Sequence, residues 1–109
     1  MTDPEASLGA DEFAMRLVSV VNHGMLALMI SVGDRTGLFD VMRSLPPSTS
    51  AEIAEAADLD ERYVREWLGN QAASGYVHYN IKTKTYTLPP EQAFALANEG
   101  SPAFFAGAF

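Results

Sequence analysis

Residues 49–88, TSAEIAEAADLDERYVREWLGNQAASGYVHYNIKTKTYTL, have the pattern of two helices joined by a tight turn and followed by a β-hairpin. Thr49-Ser50-Ala51-Glu52 is a capping box: the threonine hydroxyl accepts from the third helical amide while Glu52 reaches back to the cap amide. Ile53, Ala54 and Ala57 then form a narrow apolar stripe of small residues suited to close helix packing. Asp60 stands as the N-cap of the second helix, with Leu59 and Val64 at the positions of a hydrophobic staple. Val64, Trp67, Leu68, Gln71 and Ala72 follow the three-four spacing of one buried face. Gly69 inside this helix costs about 1 kcal/mol against alanine, which predicts close backbone packing there. Gly75 after Ser74 is the expected left-handed stop. From Tyr76 to Leu88 the period changes to two, with Asn80–Lys84 as the hairpin loop. The expected fold is mainly α with a small β-hairpin: a winged helix-turn-helix domain.

That shape usually serves DNA binding, and its charge here opposes it. Between Ser50 and Gly75 the acids are Glu52, Glu55, Asp58, Asp60, Glu61 and Glu66, against Arg62 and Arg65, six against two. The whole chain of 109 residues carries a net charge of −7. Binding to DNA draws on phosphate neutralisation and counterion release, for which only Arg62, Arg65, Lys82 and Lys84 are candidates. Tyr63, Trp67, Tyr76, Tyr79 and Tyr86 could in principle stack on bases, but their spacing reads more simply as core packing.

On the N-terminal side, residues 1–10 form an acidic, polar lead-in expected to be flexible, and it lacks the basic-then-apolar pattern of a signal peptide. Apolar residues from Phe13 to Val32 then cover nearly the whole circumference of a helix. A helix apolar on all sides is buried on all sides, and one face is all that so small a domain can cover. Homodimerisation through helix 13–32 is the economical expectation. A membrane span over these residues would bury Arg16, Asn22 and His23, at about 2.5–3.5 kcal/mol for a central charge alone. Gly33 and Gly37 are read as interrupting the helix, before Leu38–Met42 resume an amphipathic turn or two. Leu45-Pro46-Pro47-Ser48 is a loop.

On the C-terminal side, Pro89-Pro90 ends the hairpin and opens a short helix through about Asn98. The domain is thus expected over 11–99. Ser101-Pro102 looks like a further helix start, and the apolar run to Phe109 suggests that residues 100–109 begin a linker helix to a missing C-terminal catalytic domain.

Chemistry-bearing motifs are sparse. The chain has no cysteine, so disulfides and thiolate metal sites are excluded, and a reducing cytoplasmic setting is the default expectation. Neither His23 nor His78 has metal-ligand spacing to another donor, so no metal is expected. Gly33-Asp34-Arg35-Thr36-Gly37 lacks the ending of a phosphate loop and follows no strand, and no glycine-rich nucleotide cradle is present. Asn22-His23-Gly24 is a polar notch in an apolar helix. It reads either as a satisfied histidine at a helix interface or as one wall of a ligand pocket completed by another domain or subunit, which makes Asn22 and His23 the substrate-pocket candidates.

The runs GMLALMISVGDRTGLFDVM, LPPSTSAEIAEAADLDERYVREWLGNQAASGYV and YTLPPE together resemble the N-terminal winged-helix domain of class I S-adenosylmethionine-dependent methyltransferases of the small-molecule type, over about residues 24–92. The resemblance implies an accessory role, with the first helices building an interlocked dimer and the winged domain forming a lid on the substrate pocket. It also implies S-adenosylmethionine as cofactor of the full-length protein, bound by a Rossmann-like domain outside these residues. No catalytic or cofactor-binding residue can be carried over, and the chain alone is expected neither to bind the cofactor nor to transfer methyl groups. The alternative is a dimeric winged-helix transcriptional regulator that contacts DNA through Arg62, Arg65, Lys82 and Lys84.

Overall fold

The computed structural model describes residues 9–97, so the expectations for residues 1–8 and for 98–109, the linker helix included, lie outside it. Five helices and one hairpin follow in order: α1 Ala10–Thr36, α2 Leu38–Ser44, α3 Ser50–Ala57, α4 Glu61–Ala73, β1 His78–Asn80, β2 Thr85–Thr87 and α5 Pro90–Leu96. It is a winged helix-turn-helix, mostly helical with a two-stranded antiparallel wing.

Local chemistry sets most of the boundaries. The capping box forms in full: Glu52 N–H donates to Thr49 Oγ1 at 3.2 Å and Thr49 N–H donates to Glu52 Oε1 at 2.9 Å. Asp60 caps α4 by accepting from the Arg62 amide at 2.9 Å. The turn between these helices runs through Asp58, which holds a left-handed φ of 55°, a conformation that short polar side chains tolerate. Gly75, at φ 79°, ends α4, and Pro90 occupies the first turn of α5, where its missing N–H leaves nothing unpaired.

One boundary differs from expectation. Gly33 does not interrupt α1; the helix runs through it to Thr36, and only Gly37, at φ 76°, breaks the chain. The physical reason lies in packing. A Cβ on Gly33 would stand 2.4 Å from Cε2 of Phe39 and 2.6 Å from Cζ2 of Trp67, so glycine lets the α2 and α4 rings close on the α1 backbone. Gly69 shows the reverse. It is exposed, and a Cβ there would meet nothing within 4 Å, so the expected close packing at Gly69 is absent.

All five helices contribute to one core, including Ile30 of α1, Phe39 of α2, Ile53 of α3 and Trp67 and Leu68 of α4. Leu88 and Leu96 close it from the wing and α5. The rings of Phe39 and Trp67 meet edge to face with centroids 5.2 Å apart, a favoured aromatic geometry. Gln71 also lies in the core with no exposed surface, and its Oε1 has no hydrogen-bond partner.

In the wing, Tyr79 pairs with Tyr86 and their rings lie 4.7 Å apart. The loop Leu45–Ser48 does more than connect. Ser48 exchanges two backbone hydrogen bonds with Tyr86, of 3.1 and 2.7 Å, and so acts as a one-residue third strand that ties the wing to the start of α3.

Candidate functional site

Three surfaces could carry function, and the first is the exposed face of α4, the helix that a DNA-binding winged helix presents to a groove. Arg62 and Arg65 do lie on that face, but each meets an acid one turn away: Arg62 Nε stands 3.7 Å from Glu66 and Arg65 Nε stands 3.8 Å from Glu61. Such exposed pairs add little to stability. Their consequence is electrostatic, because the pairs leave no net positive charge on these four side chains. Glu61 is further held by the Ser50 hydroxyl at 2.6 Å, which links the starts of α3 and α4. Lys82 and Lys84 sit exposed at the wing tip, where Asn80 Oδ1 accepts from the amides of Lys82 and Thr83 at 2.9 and 3.3 Å. Of the five aromatics read as core, Trp67 is buried and Tyr76 and Tyr86 pack against the core, but Tyr63 is 68% exposed on α4 and Tyr79 is exposed on the wing. Burial pushes the Tyr86 phenol above its ordinary value, helped by Tyr79 and Glu61 and opposed by Arg65.

The second surface holds Asn22 and His23. Both are exposed, and they line an open cleft of about 370 Å³ between α1 and the end of α4. Met25, Leu26 and Ala73 supply its apolar part, and Asn70 and Ser74 face the pair from the other side. Ser74 is held by its hydroxyl donating to the Asn70 carbonyl at 2.9 Å. Asn22 and His23 make no side-chain hydrogen bond to another described residue. Asn70 and Ser74 were not foreseen; nothing in their spacing ties them to residues almost fifty positions earlier.

The third surface is α1 itself. Only its C-terminal part, from Leu26 on, packs on the body, through Leu26, Met29, Ile30 and Gly33. Phe13, Met15, Leu17, Val20, Val21 and Leu28 are each 51% exposed or more, far beyond the scattered apolar residues of an ordinary surface. By length and hydropathy, α1 is also able to cross a membrane. Its unpacked stretch from Ala10 to Met25, however, has sixteen residues and spans about 24 Å, short of the roughly 30 Å of a hydrocarbon core. Extending the span would draw α2 and α4 into the bilayer.

No cofactor cradle can be built from the described residues. Both strands belong to one antiparallel hairpin, and no glycine-rich turn leads from a strand into a helix N-terminus. A nucleotide-type cofactor such as S-adenosylmethionine therefore does not fit these residues. Among them, no group of three or more histidine, aspartate or glutamate side chains is placed to hold a metal ion.

Comparison with known proteins agrees with this architecture. None of the curated proteins matches the chain. Among solved structures it is similar to PigF with SAH, at a TM-score of 0.73 and 20% identity over 93% of this chain and 28% of that one. It is also similar to human N-acetylserotonin methyltransferase in complex with SAM, at 0.68 and 19% over 87% of this chain and 29% of that one. The mitomycin 7-O-methyltransferase MmcR matches at 0.67 and 23%, over 85% and 27% respectively. The chain thus spans well under a third of the length of these structures. The profile of the Rv2258c-like winged HTH domain matches residues 24–98, and the chain belongs to that family.

Proposed function

We propose that these residues are the accessory domain of an S-adenosylmethionine-dependent small-molecule methyltransferase, serving dimerisation and covering the substrate pocket without carrying catalysis. The observation that carries this proposal is the combination found in one small fold: a winged helix whose α4 arginines are paired with Glu61 and Glu66, and an α1 whose apolar surface is uncovered. The first feature weakens a DNA role, and the second calls for a protein partner. Methyltransferase chains that contain a similar fold as about a quarter of their length supply the context. In this context a second copy covers α1, and the Asn22–His23 cleft faces a small molecule bound by a catalytic domain. S-adenosylmethionine is the cofactor of that larger protein, which acts in the cytoplasm.

The test has two arms. Isothermal titration of the isolated chain with S-adenosylmethionine is expected to show no binding, and micromolar affinity would contradict the assignment. Reading the coding sequence beyond Phe109 is expected to reveal a strand followed by a glycine-rich turn and a helix, the cradle that these residues lack.

The second reading, a dimeric transcriptional regulator, rests on the winged fold and on Lys82 and Lys84 at the wing tip. It predicts tight duplex binding at physiological salt that falls steeply as salt rises. The accessory-domain reading predicts none.

A further inference from the structure

Gln71 lies on the buried face of α4 with no exposed surface, and its Oε1 has no partner there. An orphaned acceptor in a core is destabilising and uncommon, so its presence calls for a cause. The other end of the same amide supplies one: Nε2 donates to Oδ1 of Asn70 at 3.1 Å. The backbone of Gln71 is held as well, because its carbonyl accepts from the amides of Tyr76 and Val77 at 2.9 and 3.2 Å. Asn70 borders the open cleft of about 370 Å³ between α1 and the end of α4. A buried side chain on a fixed backbone thus holds a polar group at the edge of that cleft.

The bond decides what Asn70 has left to offer. Its oxygen is engaged by Gln71, and its Nδ2 keeps its hydrogens for donation. Ser74, one turn on along the same helix face, spends its hydroxyl proton on the Asn70 carbonyl at 2.9 Å and keeps lone pairs to accept with. This wall therefore presents one donor and one acceptor beside the apolar surface of Leu26 and Ala73. No aspartate, glutamate, lysine or arginine borders the cleft, in a chain whose net charge is −7. An ionic group would lose water there and gain no counter-charge.

We propose that the cleft takes the uncharged, amide-bearing end of a small apolar molecule, with Asn70 Nδ2 donating to the ligand carbonyl and Gln71 as the positioning residue behind it. The N–H of the ligand amide donates to Ser74 Oγ, and the apolar remainder rests on Leu26 and Ala73. The proposal rests on the reading of the Asn22–His23 cleft as part of a substrate pocket and adds the class of ligand and the residues that select it. It also gives the orphaned Oε1 of Gln71 a cause: stability is given up for a placed donor, a trade that functional sites commonly make.

Benzamide, benzoate and toluene share one ring and differ in the group it carries. Each is titrated into the isotope-labelled 109-residue chain, and binding is read from the nuclear magnetic resonances of the Asn70 side-chain amide and the Ala73 and Ser74 backbone amides. Benzamide is expected to bind about fivefold more tightly than toluene, the worth of one net hydrogen bond, and benzoate more weakly than benzamide. Gln71→Leu is expected to stay folded, as the emission of Trp67 checks, and to bring benzamide down to the toluene level while leaving toluene unchanged. Asn70→Asp, which has acceptors and no donor when ionised, is expected to do the same. Equal affinity for benzamide and toluene in the parent chain would overturn the ligand class, and benzoate binding as tightly as benzamide would overturn the selection against charge. Unchanged benzamide affinity in Gln71→Leu would overturn the positioning role. The absence of any saturable shift at these residues would overturn the cleft as a binding site. The accessory-domain reading is tested separately by the coding sequence beyond Phe109, and its failure would leave the probe result standing.

Discussion

The indole N–H of Trp67 donates to the backbone carbonyl of Met29 across 2.8 Å. This bond between α4 and the C-terminal part of α1 ties the long helix to the winged body one turn before Gly33. It satisfies the polar end of a ring that is 4% exposed. The base of α1 is thus held to α4 by a hydrogen bond as well as by packing, and the exposed N-terminal part of the helix extends beyond it.

Gly33→Ala should be costly, because the added methyl meets the rings of Phe39 and Trp67 well inside contact distance. Neither ring is at the free end of a flexible chain, so both must shift. A loss of about 1–3 kcal/mol is expected, the usual cost of overpacking. Urea unfolding followed through the emission of Trp67, the only tryptophan, measures it directly.

Gly69→Ala should stabilise. The site is mid-helix, exposed and open, so alanine gains helix propensity of up to about 1 kcal/mol without a clash. The same urea titration should show a higher midpoint with an unchanged slope.

Thr49→Ala removes the hydroxyl half of the capping box, leaves the amide that donates to Glu52, and should cost about 1 kcal/mol at neutral pH. It should also change the acid response. The Thr49 amide and then its hydroxyl hold the Glu52 carboxyl below its ordinary value. A lowered folded-state pKa gives stability that is fully present above the ordinary glutamate range and is lost as pH falls through the lower folded value. Because alanine keeps the amide, only the hydroxyl's part of this linkage separates the parent from Thr49→Ala, so their difference should narrow slightly on acidification below that range, as read from thermal midpoints across a pH series.

Gln71→Leu should leave stability unchanged or raise it by about 1 kcal/mol, because it removes a fully buried acceptor that has no partner, at similar side-chain volume. Its Nε2 donates only to the neighbouring Asn70 Oδ1, at 3.1 Å. A loss of 2 kcal/mol or more on calorimetry would contradict this account of the site.

Local chemistry was readable from the sequence, and tertiary chemistry was not. Thr49, Glu52, Asp60 and Gly75 act within one turn of chain, so their side-chain types suffice to place the caps and stops of α3 and α4. Gly33 and Gly69 look alike as helical glycines, yet one lies under two aromatic rings and the other faces open space. Only the crossing of α1, α2 and α4 decides which is which. Tyr63 fits a core spacing as well as Val64 does, and the angle at which α4 packs sets it outside. The Ser48–Tyr86 bridge joins residues on either side of the helix pair and leaves no local mark. At the candidate site, Asn22 and His23 stood out as polar residues in an apolar helix. Asn70 and Ser74 did not, because polar residues near the end of a surface helix are ordinary.

Light scattering on the eluting peak of a size-exclusion column tests the central claim most directly, namely that α1 is uncovered here because a second chain covers it. The account predicts a mass twice the 11.8 kDa of one chain, persisting on dilution into the low micromolar range. A single-chain mass at high concentration, with Trp67 still buried, would contradict it.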